Sequence, residues 1–159
     1  MAYLAIAAVA GVTAAISILL ARSGMGWFRT LRLPRWPVSM RTMAWCWGVL
    51  FALTTISAML VWSGSTGEDR ERAAALYAID AFLNLAWCYL FFVRHQIGSA
   101  TLEAGLLAIA VAVVVLEVFS VSLVAAALLL PFFVWALAGM YLTLSIFRMN
   151  PKSARGGGV

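Results

Sequence analysis

Between Thr101 and Phe147 the chain carries only two charged side chains, Glu103 and Glu117. A membrane-spanning helix needs about 20 consecutive apolar residues. This block is too long for one span and fits two. A soluble fold has nowhere to put it: 65% of the 159 residues are hydrophobic and 11% are charged, against about 25% charged in an ordinary soluble domain. A core large enough to hide that surface needs a longer chain. Lipid is the solvent in which this composition is stable.

Three further apolar runs precede the block, so the sequence predicts an all-α membrane protein, a bundle of five transmembrane helices, as a single domain over residues 1–150. The expected helices cover about 2–21, 40–62, 73–93, 101–120 and 124–148, the last two separated at Ser120-Val121-Ser122, the one polar spot with turn residues. The first run is not a signal peptide, because Arg22 follows it and no charged segment precedes it. The connection 22–39 holds Pro34, Pro37, Trp27 and Trp36. That makes it either a structured interfacial lid or a simple headgroup anchor, since Trp favours the interface in any case. The tail 151–159 is basic and Gly-rich and is expected to be disordered.

Basic residues set the orientation. Five helices put the first loop, the third loop and the C-terminus on one side, with Arg22, Arg29, Arg32, Arg35, Arg41, Arg94, Arg148, Lys152 and Arg155. The other side has Arg70 and Arg72, diluted by Glu68, Asp69 and Glu71. The richer side is expected in the cytoplasm, which leaves the N-terminus outside and the C-terminus inside. Arginines confined to gaps between apolar runs are topology signals, so the positive net charge does not point to nucleic acid. Cys46 and Cys88 lie inside apolar runs without metal-like spacing. His95, the single histidine, sits in the third loop. No helix interior offers a histidine, which argues against protein-ligated haem iron. No metal site and no required cofactor are expected.

Chemistry is sought where polar groups enter the membrane. Asp80, Asn84, Trp87 and Phe91 recur at offsets that place them on one stripe of the third span, bordered by Tyr77. Polar side chains at that depth face protein or a cavity. They either glue helices together or line a site. Trp47, Phe51, Thr54 and Ala58 on the second span, and Pro131, Trp135, Ala138 and Leu142 on the fifth, repeat the same offsets. Three converging aromatic stripes would line a flat apolar pocket, although such stripes also arise from packing alone. Glu117, late in the fourth span, is either an intramembrane functional acid or a side chain that snorkels to water. Glu103, near the other end, is expected to be solvated.

Four blocks then resemble the TspO/MBR family of translocator and tryptophan-rich sensory proteins. They are Trp27 with Leu31, Pro34 and Trp36; Trp47 with Phe51; Leu83-Asn84 with Trp87 and Phe91-Phe92; and Pro131-Phe132-Phe133-Val134-Trp135 followed by Leu142 and Asn150. The departures are Leu33 for the family's lysine, Val38 and Ser39 for its paired prolines, Phe51 for a tyrosine, Asp80 for a glutamine and Thr143 for an asparagine. The resemblance implies a five-helix bundle, often a homodimer, in the bilayer of a bacterial inner membrane. It implies a pocket under the first loop for a small, apolar, planar ligand, a porphyrin such as protoporphyrin IX or haem. Carried over by position, Trp36, Trp47, Phe51, Asp80, Asn84, Trp87, Phe91, Trp135 and Ala138 are its binding candidates. Arg32 and Arg35 would meet propionates. A sensor or transporter-like binding protein is the first expectation. The alternative is a membrane enzyme on the same bundle, with Asp80 or Glu117 as a buried general acid acting on a porphyrin or lipidic substrate. Sterol binding is not expected, because six residues separate Tyr141 from Arg148, outside the usual spacing of about one to five.

Overall fold

The computed structural model describes residues 1–34 and 40–151. Five long helices run through it: α1 (Ala2–Ser23), α3 (Met40–Gly64), α4 (Gly67–Cys88), α5 (Ile97–Val121) and α6 (Leu123–Met149), with a single turn, α2 (Met25–Phe28), after α1. At a rise of about 1.5 Å per residue each is long enough to cross a hydrocarbon core of about 30 Å. All five have the length and apolar composition of membrane spans. Helix is what lipid demands, since a backbone without water must satisfy its own hydrogen bonds. The chain is an integral membrane protein.

The helices form a closed ring in the order α1, α3, α6, α5, α4, each packed on the next. The tightest seam joins α5 and α6. Ile97, Ala100, Ala104, Leu107, Val111, Val114 and Val118 are buried along α5 at alternating spacings of three and four, and Ala125, Leu129, Phe132, Ala136, Thr143 and Ile146 answer from α6. This is the periodicity that lets two helices interdigitate at a shallow angle. The outer faces carry Leu4, Val9, Leu19, Phe82, Leu102, Leu116, Val134 and Tyr141, all exposed to the lipid side.

The helix bounds differ from expectation at informative places. α4 starts at Gly67, six residues before the expected start, because Glu68 and Asp69 suit the first turn of a helix. The turn into it needs a left-handed residue, and Gly67 has φ 57. α5 starts at Ile97, which moves Glu103 almost two turns inside the bundle. The expected break before α6 is a single extended residue, Ser122, whose Oγ accepts the Ala125 N–H at 3.2 Å.

After Cys88 the helix widens into a π-helical turn, Tyr89–Val93. The extra residue per turn lets the consecutive Phe91 and Phe92 both point inward. His95 ends the segment with φ 55, the left-handed cap position usually given to Gly or Asn. Its ring stacks on Trp27 at 4.2 Å. Gly24 packs so closely on this turn that a Cβ would lie 2.1 Å from the Phe92 carbonyl oxygen.

The described part of the first loop is held at both ends. Leu31 is buried among Phe91, Phe92 and Ile97. Asn150, just past α6, accepts the Arg32 N–H at Oδ1 (3.0 Å) and donates from Nδ2 to the Arg32 carbonyl (3.0 Å) and to the Ile146 carbonyl (2.8 Å). Trp36, Pro37 and the tail lie outside the described residues.

Candidate functional site

Among the described residues the packing is interrupted by a larger and a smaller cavity. The larger, about 310 Å³, lies between α1, α3 and α4 in the half of the bundle away from the first loop, with Phe132 of α6 at its back. Alanines make it. Ala5 and Ala10 of α1, Ala58 of α3 and Ala73, Ala74, Ala78 and Ala81 of α4 all line it. Ala74, Ala78 and Ala81 look in sequence like a helix-packing stripe, yet here they leave space. The smaller cavity, about 100 Å³, lies on the first-loop side and is bounded by α3, α4, α5 and α6. Trp47 and Phe132 belong to both walls.

The nine residues expected in one pocket are divided. Trp47, Phe51, Asp80 and Asn84 line the larger cavity. Trp47, Trp87, Trp135 and Ala138 line the smaller. Trp36 falls outside the described residues. Phe91 lines neither: it stays on the inward side, 2% exposed, but packs one turn nearer the first loop in a core with Leu31, Ile97 and Ile146. It still supports the site, because Trp87 stacks on it at 5.4 Å and 12°.

Tryptophans dominate the loop-side cavity. Trp47 meets Trp135 edge to face at 6.5 Å and Phe51 at 5.7 Å. Trp87 brings a third indole from α4, and its buried Nε1–H has no acceptor among the described residues. Trp62, at the far end of α3, is not remote from a site as its position suggests. It lines the larger cavity under the Arg70 guanidinium, 4.8 Å above its ring.

The polar interior is richer than the sequence indicates. Ser57 donates to the Ala125 carbonyl and pairs with the Tyr77 hydroxyl, both at 2.7 Å, joining α3, α4 and α6. Ser17 of α1 lies 3.2 Å from Asn84 Oδ1 and 2.9 Å from the Thr13 carbonyl, so one hydroxyl proton is offered to two acceptors. Asn84 is 2% exposed and Asp80 5% exposed, and Asn84 Nδ2 and Asp80 Oδ1 have no partner among the described residues.

The two glutamates exchange roles. Glu117, with no base near it in sequence, is ion-paired with Arg72, which also bonds Asp69 at 2.8 Å. That trio sits at the rim, and Glu117 lines neither cavity. Glu103, expected to be solvated, is 6% exposed with both carboxyl oxygens unpartnered. The sequence signal was available, because Glu103 lies on the same α5 face as Ala100, Ala104 and Leu107. Only the true helix start shows that this face is inside.

Five spans closed around tryptophan-lined cavities define an aromatic-cored membrane bundle. Residues 3–149 match the TspO/MBR family, and the chain belongs to it. The translocator protein of Sus scrofa is 31% identical over 136 residues, covering 84% of this chain and 80% of that protein. The tryptophan-rich protein TspO of Bacillus cereus is 27% identical over 124 residues, 78% of this chain and 80% of its own length. Protein CrtK of Rhodobacter capsulatus is 28% identical over 151 residues, 94% of this chain and 91% of its own.

Proposed function

We propose that this protein binds a tetrapyrrole, a porphyrin such as protoporphyrin IX or haem, in the loop-side cavity and acts as a sensor or transporter-like receptor. The observation that carries this is the convergence of Trp47, Trp87 and Trp135 from three helices on one small space. A planar macrocycle wants aromatic faces, each stacked pair adding about 0.5–1.5 kcal/mol beyond area burial. The unpartnered Trp87 N–H offers a donor to a ligand carboxylate. Ligand pockets usually measure about 300–1,000 Å³, so a cavity of about 100 Å³ widens on binding.

In this reading the first loop and the C-terminus face the cytoplasm of a bacterial inner membrane, which the basic bias of the loops supports. Ala7, Gly11 and Ala15 lie exposed along α1, and a Cβ on Gly11 would meet nothing within 4 Å. Such a face lets a second copy approach closely as a homodimer.

Titration of the purified protein with protoporphyrin IX, followed by its absorbance, tests the function. Trp135→Ala and Trp87→Ala should each weaken binding by roughly 1–3 kcal/mol through lost stacking and burial. Trp45, 72% exposed on the lipid face, is the control, and Trp45→Ala should bind as the wild type does. Equal affinity in Trp135→Ala and Trp45→Ala, with the bundle intact, would exclude the site.

A further inference from the structure

The larger cavity is left unused by the tetrapyrrole reading and has its own chemistry. Two charged side chains touch its otherwise mostly apolar wall, Arg70 and Asp80. They stand ten residues apart on α4, about 15 Å along the helix. Arg70 is engaged at the rim, donating to the Ser65 carbonyl and lying over Trp62. Asp80 is deep, 5% exposed, with Oδ1 unpartnered. Trp47, Phe51, Tyr77 and Phe132 surround the space.

A second buried acid sharpens the local field. Glu103 of α5, with neither oxygen partnered, is within electrostatic reach of Asp80. Among the described residues the cavity wall holds no cation other than Arg70. Charges act at longer range and with greater strength where water is excluded. Two such carboxyls, with no base on the wall but the engaged Arg70 among the described residues, are costly to ionise in an apolar, aromatic chamber, and a bound ammonium offsets that cost. Intramembrane carboxyls in such places serve as ligand counter-ions, and aromatic faces also attract ammonium groups.

We propose that the α1–α3–α4 cavity is a second binding site, for a small molecule with an apolar body and a single protonated amine, the ammonium paired with Asp80. The apolar body lies along the alanine faces of α1 and α4. A dicarboxylate such as a porphyrin is disfavoured there, because its own charges would face Asp80 and Glu103. The site shares Trp47 and Phe132 with the loop-side cavity, but its argument does not rest on the tetrapyrrole reading.

Dansylcadaverine, a primary amine on an aromatic body, and its neutral N-acetyl derivative separate charge from shape. Both are titrated fluorimetrically against the full chain in phosphatidylcholine nanodiscs, with empty nanodiscs subtracted. The amine should bind roughly 10- to 100-fold tighter than the acetylated probe, the range of a charge-assisted hydrogen bond. Asp80→Asn should erase that preference and leave the acetylated probe unchanged. Ala78→Phe, which fills the cavity, should abolish binding of both. Equal binding of the two probes to the wild type, a preference that survives Asp80→Asn, or amine binding that survives Ala78→Phe would each overturn the proposal. If Asp80→Asn does not fold, the wild-type preference together with Ala78→Phe decides it alone. Protoporphyrin IX titrated against Ala78→Phe keeps wild-type affinity if it binds on the loop side, so the two sites fail separately.

Discussion

Asn150 clips the first loop to the end of α6, and its removal should loosen the loop without unfolding the bundle. Three hydrogen bonds are at stake, two to the Arg32 backbone and one to the Ile146 carbonyl. A net value of about 0.5–1.5 kcal/mol each gives an upper limit of about 4.5 kcal/mol. Water competes for these groups at the exposed Arg32, and Leu31 remains buried, so Asn150→Ala should cost about 1–2 kcal/mol of local stability. Asn150→Asp is the sharper test. It keeps the acceptor for the Arg32 N–H but loses both donations and sets a negative charge against carbonyls at a helix C-terminus, where the macrodipole opposes it. It should therefore protect the loop no better than Ala. Amide hydrogen exchange reads this directly: the Arg32 amide should exchange about 5- to 30-fold faster in both variants, while amides at the α5–α6 seam keep their rates. An Arg32 amide that exchanges alike in wild type and Asn150→Ala would refute the clip. Full protection in Asn150→Asp would show that the acceptor alone holds the loop.

Two further outcomes follow from the same geometry. Gly24→Ala should lower the melting temperature sharply, by the equivalent of about 2 kcal/mol or more, because the new Cβ would sit 2.1 Å from the Phe92 carbonyl oxygen, a backbone atom; Gly26→Ala, where a Cβ meets nothing within 4 Å, is the matched control. An impermeant thiol reagent applied to intact cells should label Thr66→Cys and spare Thr30→Cys. The reverse pattern would invert the orientation set by the basic residues.

The fold was legible because lipid simplifies the problem. Once water is removed, length and apolarity decide that a segment is helical, and charges mark its ends. All five spans could be placed from those two signals. Residues 67–72 misled because a glycine followed by five charged residues looks like loop, whereas a helix emerging from the membrane keeps its hydrogen bonds and lets Glu68, Asp69 and Arg72 meet water. The π turn at Tyr89–Val93 was not legible. Nothing in the apolar string Tyr-Leu-Phe-Phe-Val distinguishes a five-residue turn from a four-residue one. The choice is made by tertiary packing, with Gly24 pressed against Phe92 and with Leu31 and Ile97 filling the space around the paired phenylalanines.

The site was legible residue by residue but not as a shape. Stripes at helical spacing identify which side chains point inward, and Trp47, Asn84, Trp87 and Trp135 do. They do not say where space remains, because a cavity is a property of what the opposing helix lacks. The larger one exists because alanines on α1 meet alanines on α4, and either set alone looks like close packing. Glu103 makes the same point for charge. Read by its distance from the start of the apolar block it is a solvated end residue. Placed by the seam that repeats from Ile97 to Val118 it is interior. Burial of an acid in a membrane bundle is thus decided by helix phase as well as depth, and phase is set by the neighbour. Glu117, for which the sequence left a functional acid and a snorkelling side chain both open, is paired at the rim with Arg72, while Glu103, which looked solvated, joins Asp80 inside the bundle with no base partnering either among the described residues. A chain that retains two such groups against the cost of burying charge holds them where a cation can offset it.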